Sequence, residues 1–155
     1  MFPFLSQNFP LIAIAVTIVN AVILWFKASP MIEENEELKE GYFKSCIVYA
    51  TIGIIPWIIM LVGILSGSVS GVSGYFAIRE GNIFVSAFLG SIALMNLALP
   101  VWVFLKGGAK FLVKHPGAFG MKFRTERGIK LVASLSIPFM ILWFFGLWHL
   151  NGVPS

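Results

Sequence analysis

The chain has 155 residues, of which 58% are hydrophobic and only 12% are charged, with a formal net charge of +4. A soluble domain usually carries about 25% charged residues, so the composition excludes a water-facing surface of ordinary polarity. The single cysteine, Cys46, excludes an intramolecular disulfide and any zinc or iron–sulfur site built from thiolates. We therefore predict an all-α protein with one membrane-embedded domain, residues 1–155.

Four apolar segments are long enough to cross a hydrocarbon core of about 30 Å. The predicted helices span about 10–26, 45–67, 83–105 and 128–149, and their cores contain no Asp, Glu, Lys or Arg. Proton pumps, voltage sensors and ion-coupled carriers usually need charge inside the membrane. The sequence thus predicts a polytopic protein with four transmembrane helices and disfavours those three classes.

The predicted orientation rests on the distribution of basic residues. The first and third loops, 27–44 and 106–127, together with Lys130, hold every Lys and Arg except Arg79. By the positive-inside rule, these loops are cytoplasmic and both termini are outside. A bacterial inner membrane is the default location, because no organelle signal is visible.

The first loop is expected to be partly helical. Ser29 is a suitable N-cap, Pro30 suits a first helical turn, and Gly41 suits a helix end. The loop is acidic whereas the third loop is basic. The two loops either dock on one another or are solvated independently, since exposed ion pairs are weak.

The third loop interleaves basic with apolar residues, a pattern typical of a segment lying on an anionic leaflet at about 1 kcal/mol per base. The alternative is ordinary topology-setting charge. Predicted partners are anionic membrane lipids, further copies of the chain or other membrane subunits, and no nucleic acid. The predicted lipid-headgroup contacts are Lys106, Lys110, Lys114, Lys122, Arg124 and Arg127.

Gly63, Gly67 and Gly71 are spaced by four residues. On a continuous helix they form a stripe of small residues, against which another helix can pack closely. The alternative is that the second helix ends near Gly67 and the stretch to residue 74 is a turn. The spacing alone leaves both structures open.

Three prolines lie near the middle of predicted helices, where each frees the carbonyl four residues earlier. They either shape a cavity at the membrane midplane or merely bend the helices for packing. Asn20 and Asn96 are expected to donate hydrogen bonds across helix interfaces. The predicted midplane group comprises Asn20, Asn96, Pro56, Pro100, Pro138 and Ser134.

The sequence contains no paired carboxylates, nucleophile–base pair or phosphate-binding glycine loop. We predict no catalytic, cofactor-binding or metal-binding residues. Four helices in this topology resemble, in outline, the membrane-associated eicosanoid and glutathione enzymes. The stretch 41–47 reads GYFKSCI and lacks the Arg and the Asn of their signature, so no residue role is carried over.

Three functional hypotheses follow. The first is a non-catalytic helix-bundle protein that acts as an oligomeric or accessory subunit of a membrane complex, which the small-residue stripe and the uncharged cores favour. The second is a small channel or transporter with a midplane polar site. The third is a membrane-embedded enzyme acting on a lipophilic substrate, which the outline resemblance and the basic loop suggest.

Overall fold

The computed structural model describes residues 3–76, 81–120 and 125–150. Within these ranges, four of the five α-helices are long and apolar enough to cross a membrane. This confirms the all-α class and the four apolar helices of a multi-pass membrane protein. The helices are α1 (Pro3–Glu34), α2 (Lys39–Leu65), α3 (Ile83–Leu105), α4 (Gly108–Lys114) and α5 (Glu126–Leu150).

The first loop differs from its prediction. α1 continues through Pro30 to Glu34, so the separate short helix expected at Ser29 is wrong. Buried Ala28 makes continuation of the helix favourable, because a helical backbone keeps the last turns of α1 against the core. The chain turns at Asn35, whose side chain caps the next 3-10 turn. Gly41 therefore lies inside α2 and does not end a helix.

The four long helices form an open row. α1 packs on α2, α2 on α3, and α3 on α5, while α4 lies against α3 and α5. Among the described residues, α1 and α5 share no substantial contact. α1 and α5 are therefore the edge helices of the row, and each packs substantially on one other long helix.

Two apolar clusters hold the row together at its opposite ends. At one end of the row the chain passes from α1 to α2 and from α3 to α5, and we call this the basic end. At the opposite end, which we call the far end, the chain passes from α2 to α3. The basic-end cluster comprises Ala28, Leu38, Tyr42, Val103, Ala109, Leu112, Ala118, Ile129 and Ala133. The far-end cluster comprises Met60, Val69, Tyr75, Val85, Phe88 and Leu89.

The predicted glycine stripe is broken because α2 ends at Leu65. Gly67 follows the helix with φ +70° and Gly71 has φ +134°, so neither lies on a helix. A glycine in a left-handed conformation commonly ends a helix, because it has no Cβ to clash. The helix-packing prediction is thus wrong for Gly67 and Gly71, and only Gly63 remains on α2.

Candidate functional site

The candidate site is built around α4, which folds back onto the protein at the basic end. Gly107, with φ +75°, allows the sharp turn between α3 and α4. Ala109 and Leu112 are buried, while Lys110 and Lys114 are exposed. The apolar face of this segment therefore packs on protein, while its lysines face outward. The contact of this segment with an anionic leaflet stays a prediction.

His115 follows α4 and is buried, with 5% of its surface exposed. Its Nδ1 lies 2.9 Å from the carbonyl oxygen of Phe111, and the two rings stack with centroids 4.1 Å apart. The ring lies directly against α2 at Gly41, where a Cβ would overlap Nε2. A glycine at this position is what lets the histidine reach the helix backbone.

Tyr42 joins three parts of the basic end. Its hydroxyl donates to the carbonyl oxygen of Pro116 at 3.0 Å, and the Sδ of Met31 lies 3.2 Å from the hydroxyl oxygen of Tyr42. Its ring meets that of His115 edge to face, with centroids 5.1 Å apart. Tyr42 thereby connects α1, α2 and the segment after α4.

These contacts show that the first and third loops dock on one another and are not solvated independently. The docking is mainly apolar, because Tyr42 and Leu112 are both almost fully buried. One ion pair also joins the segments, Lys114 Nζ to Glu37 Oε2 at 3.7 Å, with both side chains more than half exposed. Exposed pairs of this kind contribute little to stability.

A cleft of about 870 Å³ opens between α1, α2 and the segment 113–119. Of the described residues that line it, Lys27 is the only charged one, and Asn20 and Tyr49 add polar groups. Within the described chain, these three side chains make no hydrogen bond or ion pair. The full lining is Asn20, Ile23, Leu24, Lys27, Ala28, Met31, Tyr42, Tyr49, Val113, Pro116, Gly117 and Phe119.

A second cleft, of about 500 Å³, lies between α2, α3 and α4. Its walls are almost entirely apolar, and its one charged residue is Lys44, which pairs with Glu40. Tyr49 and Phe119 line both clefts and so lie between them. Phe119 is also the one non-glycine residue of the described chain with a positive φ, +54°, a conformation that costs energy for a bulky side chain.

The predicted midplane group does not converge. Asn96 Nδ2 donates to the carbonyl oxygen of Ile92, and Ser134 Oγ donates to that of Lys130, so both bond within their own helices. Within the described chain, Asn96 therefore does not make the expected bond across a helix interface, because one N–H of its amide bonds to its own helix. Pro56 and Pro100 are buried while Pro138 and Ser134 are exposed, and only Asn20 of the group lines either cleft.

The predicted headgroup residues that the structure describes are all exposed at the basic end: Lys106, Lys110, Lys114 and Arg127. Lys122 and Arg124 lie outside the described residues. Exposure leaves the four described bases accessible to lipid. Their contact with headgroups stays a prediction.

The far end contains a contact that the sequence did not reveal. Tyr75 is fully buried, and its hydroxyl lies 3.1 Å from the carbonyl oxygen of Ile59 and 3.0 Å from that of Met60. A Cβ at Gly63 would overlap this hydroxyl. Burial also raises the pKa of Tyr75 above its ordinary value.

The sequence does not reveal four residues that make the key contacts at the two ends: Gly41, Tyr42, Tyr75 and His115. Each was assigned to a loop or a helix end, and its partner lies far away in sequence. The only available signal was a ring-bearing residue placed among glycines and prolines, as at Tyr75 and at His115–Pro116. That signal does not identify the glycine that each ring contacts.

The fold and site define a multi-pass membrane protein of four helices, whose basic end holds a buried aromatic cluster flanked by two clefts. Comparisons with protein-family models, curated protein sequences and solved structures found no match.

Proposed function

We propose that the protein is a non-catalytic helix-bundle subunit that assembles laterally in a membrane, with copies of itself or with other membrane subunits. The observation that carries this proposal is the open row. α5 packs on α3 and α4 at one side only, and just 6% of its apolar span is buried within the chain. Lipid covers such a surface as well as protein does, so measurement has to decide between them.

The first test is the mass of the complex, measured in native nanodiscs or mild detergent. The proposal expects a mass above that of one 17.1 kDa chain, from further copies or from a partner that co-purifies. A strict monomer with no co-purifying protein would contradict it.

Disulfide crosslinking would locate the interface. In a Cys46→Ser background, Leu142→Cys places a thiol on the exposed side of α5, and Val19→Cys places a matched thiol on the exposed side of α1. If two copies pair through α5, the thiol at residue 142 forms dimers in native membranes and the thiol at residue 19 does not. Equal crosslinking at both positions would show random collision and remove α5 as the interface.

The orientation is part of the proposal. The bases of the two docked segments support a cytoplasmic basic end, with both termini outside, and a bacterial inner membrane as the location. A membrane-impermeant thiol reagent tests the orientation. In the Cys46→Ser background, Lys110→Cys should react only after the cells are opened, whereas Ser68→Cys at the far end should react in intact cells. The reverse pattern would overturn the orientation.

The transport and enzyme hypotheses gain no specific support. Asn96 and Ser134, on which a midplane site depended, bond within their own helices. The described residues that line the two clefts form no nucleophile–base pair, so the clefts give the enzyme hypothesis no support.

A further inference from the structure

We propose that the cleft between α1, α2 and residues 113–119 is a binding site for one anionic phospholipid, with Lys27 holding the phosphate and Asn20 and Tyr49 facing the glycerol esters. This site goes beyond the proposed assembly role and is independent of it. Its volume, about 870 Å³, lies in the range of small-molecule and cofactor sites in proteins.

The order of groups along the cleft matches the order of groups in a lipid. Lys27 lies toward the basic end, where the headgroups of the adjacent leaflet lie. Asn20 is seven residues earlier on the same face of α1, about 10 Å deeper at 1.5 Å per residue. Between them, Ile23 and Leu24 give an apolar wall. The cleft thus has charge at its mouth, polar groups inside and apolar walls beside them.

The charge of the cleft selects an anion. Among the described residues that line the cleft, Lys27 is the only charged one. It is exposed and takes part in none of the ion pairs of the described chain. Lys44, at a similar level on α2, differs because Glu40 pairs with it. A phosphate would give Lys27 the partner that the protein does not supply.

The polar groups deeper in the cleft also lack partners. Within the described residues, neither the amide of Asn20 nor the hydroxyl of Tyr49 makes a hydrogen bond, whereas Asn96 and Tyr42 do. A polar group without a partner in hydrocarbon costs free energy. The ester carbonyls of a glycerolipid are hydrogen-bond acceptors, and in the proposed site they are the partners of both donors.

The cleft is also held open by fixed structure. The bond from Tyr42 to the Pro116 carbonyl fixes the rim that residues 116–119 form. Phe119 keeps its strained backbone, with its ring against Trp102 at a centroid distance of 5.9 Å. Strain of this kind persists where the surrounding packing determines the conformation, often at ligand sites.

Native mass spectrometry of the full chain tests the charge selection. Dioleoyl phosphatidylglycerol is titrated against dioleoyl phosphatidylcholine, with glycerol 3-phosphate as the free-phosphate arm. We expect phosphatidylglycerol to bind tightest and glycerol 3-phosphate not to bind. Phosphatidylcholine binding as tightly as phosphatidylglycerol would overturn the proposal, and so would binding of glycerol 3-phosphate alone.

Lys27→Gln and Lys39→Gln form a matched pair, since both lysines are exposed at the basic end and only Lys27 lines the cleft. Lys27→Gln should weaken phosphatidylglycerol binding about fivefold, the size expected for one base at a membrane surface. Lys39 is not among the predicted headgroup contacts, so Lys39→Gln should leave that binding unchanged. Equal losses in both variants would mean diffuse surface attraction and would overturn the site.

The cleft itself is tested without any change of charge. Ile23→Trp fills the cleft, whereas Ile18→Trp adds the same bulk on α1 outside it, and both isoleucines are partly exposed. Binding should be lost in the first variant and kept in the second. Asn20→Leu should weaken both diacyl lipids by the same factor, since both carry the esters. Unchanged binding in Ile23→Trp would overturn the site, and a loss confined to phosphatidylglycerol in Asn20→Leu would overturn the ester contact.

Discussion

At each end of α2, a glycine of the helix lies against a ring from outside it: Gly63 against Tyr75 at the far end, and Gly41 against His115 at the basic end. In both places, the missing Cβ lets a polar aromatic side chain reach the helix backbone. The two rings are attached differently. Tyr75 bonds to carbonyls of α2 itself, whereas His115 bonds to Phe111 within its own segment.

Because of this difference, the far end is closely packed, whereas the basic end contains a cleft. The hydroxyl of Tyr75 fixes the far-end turn directly to α2, and the cluster closes around a fully buried ring. At the basic end, the segment after α4 is tied to α2 through Tyr42, and a cleft remains beside that tie. The glycine contact at the far end thus lies inside a closed cluster, whereas the one at the basic end lies near an open cleft.

The largest effect is expected from Gly63→Ala. The added Cβ meets both the Tyr75 hydroxyl and the ring of Phe84, so it should displace the ring and break its bonds to α2. We expect a loss of about 2–4 kcal/mol in the free energy of unfolding, the sum of overpacking and a lost hydrogen bond. Unfolding in bicelles by added SDS, followed by circular dichroism, measures it.

Gly90→Ala is the control, because a Cβ at Gly90 meets nothing within 4 Å. Its stability should stay within about 0.5 kcal/mol of wild type. If the two alanine variants were equally stable, the close contact of Tyr75 with α2 would contribute nothing.

Gly41→Ala should have the next largest effect, about 1–3 kcal/mol from overpacking. The loss should be smaller than at Gly63, since the bond from His115 to Phe111 lies within one segment and moves with the ring. Gly146→Ala, which adds a Cβ in open space, is the matched control. A larger loss at Gly41 than at Gly63 would reverse the comparison of the two ends.

Tyr42→Phe keeps the ring and removes the bond to Pro116. We expect a loss of about 1 kcal/mol, together with faster amide hydrogen exchange in residues 116–119. Tyr49→Phe removes a hydroxyl without a hydrogen bond in the described chain and should change stability by less than about 0.5 kcal/mol. Equal losses in the two variants would show that the bond to Pro116 does not fix the rim of the cleft.

The smallest effect is expected from Lys114→Gln, which removes the ion pair with Glu37. The change should be below about 0.5 kcal/mol and should not depend on salt, because exposed pairs are weak and the docking is apolar. Stability measured at low and at high salt checks this. A salt-dependent loss above 1 kcal/mol would mean that charge, and not Tyr42 and its neighbours, docks the two segments.

Much of the fold was predictable from the sequence, but little of the site was. The bounds of α3, Ile83–Leu105, agree with its predicted span because Asn82 caps its start and a glycine pair follows its end. α1 continues past Pro30 because the burial of its last turns against the core outweighs the backbone N–H donor that proline lacks. Asn20 is conspicuous in the sequence as a polar residue within an apolar helix, and it lines the cleft. Its neighbours there, such as Tyr49 and Phe119, come from other segments, so no local pattern indicates them.

The sequence by itself determined that four apolar helices form and which segments connect them, because length and hydropathy are local properties of the chain. Only the tertiary structure decided which side chains pack against the two ends of α2. The local sequence around a glycine, a tyrosine or a histidine does not indicate which residue it contacts in the folded protein. Their roles follow from partners tens of residues away, such as Pro116 for Tyr42 and Gly41 for His115.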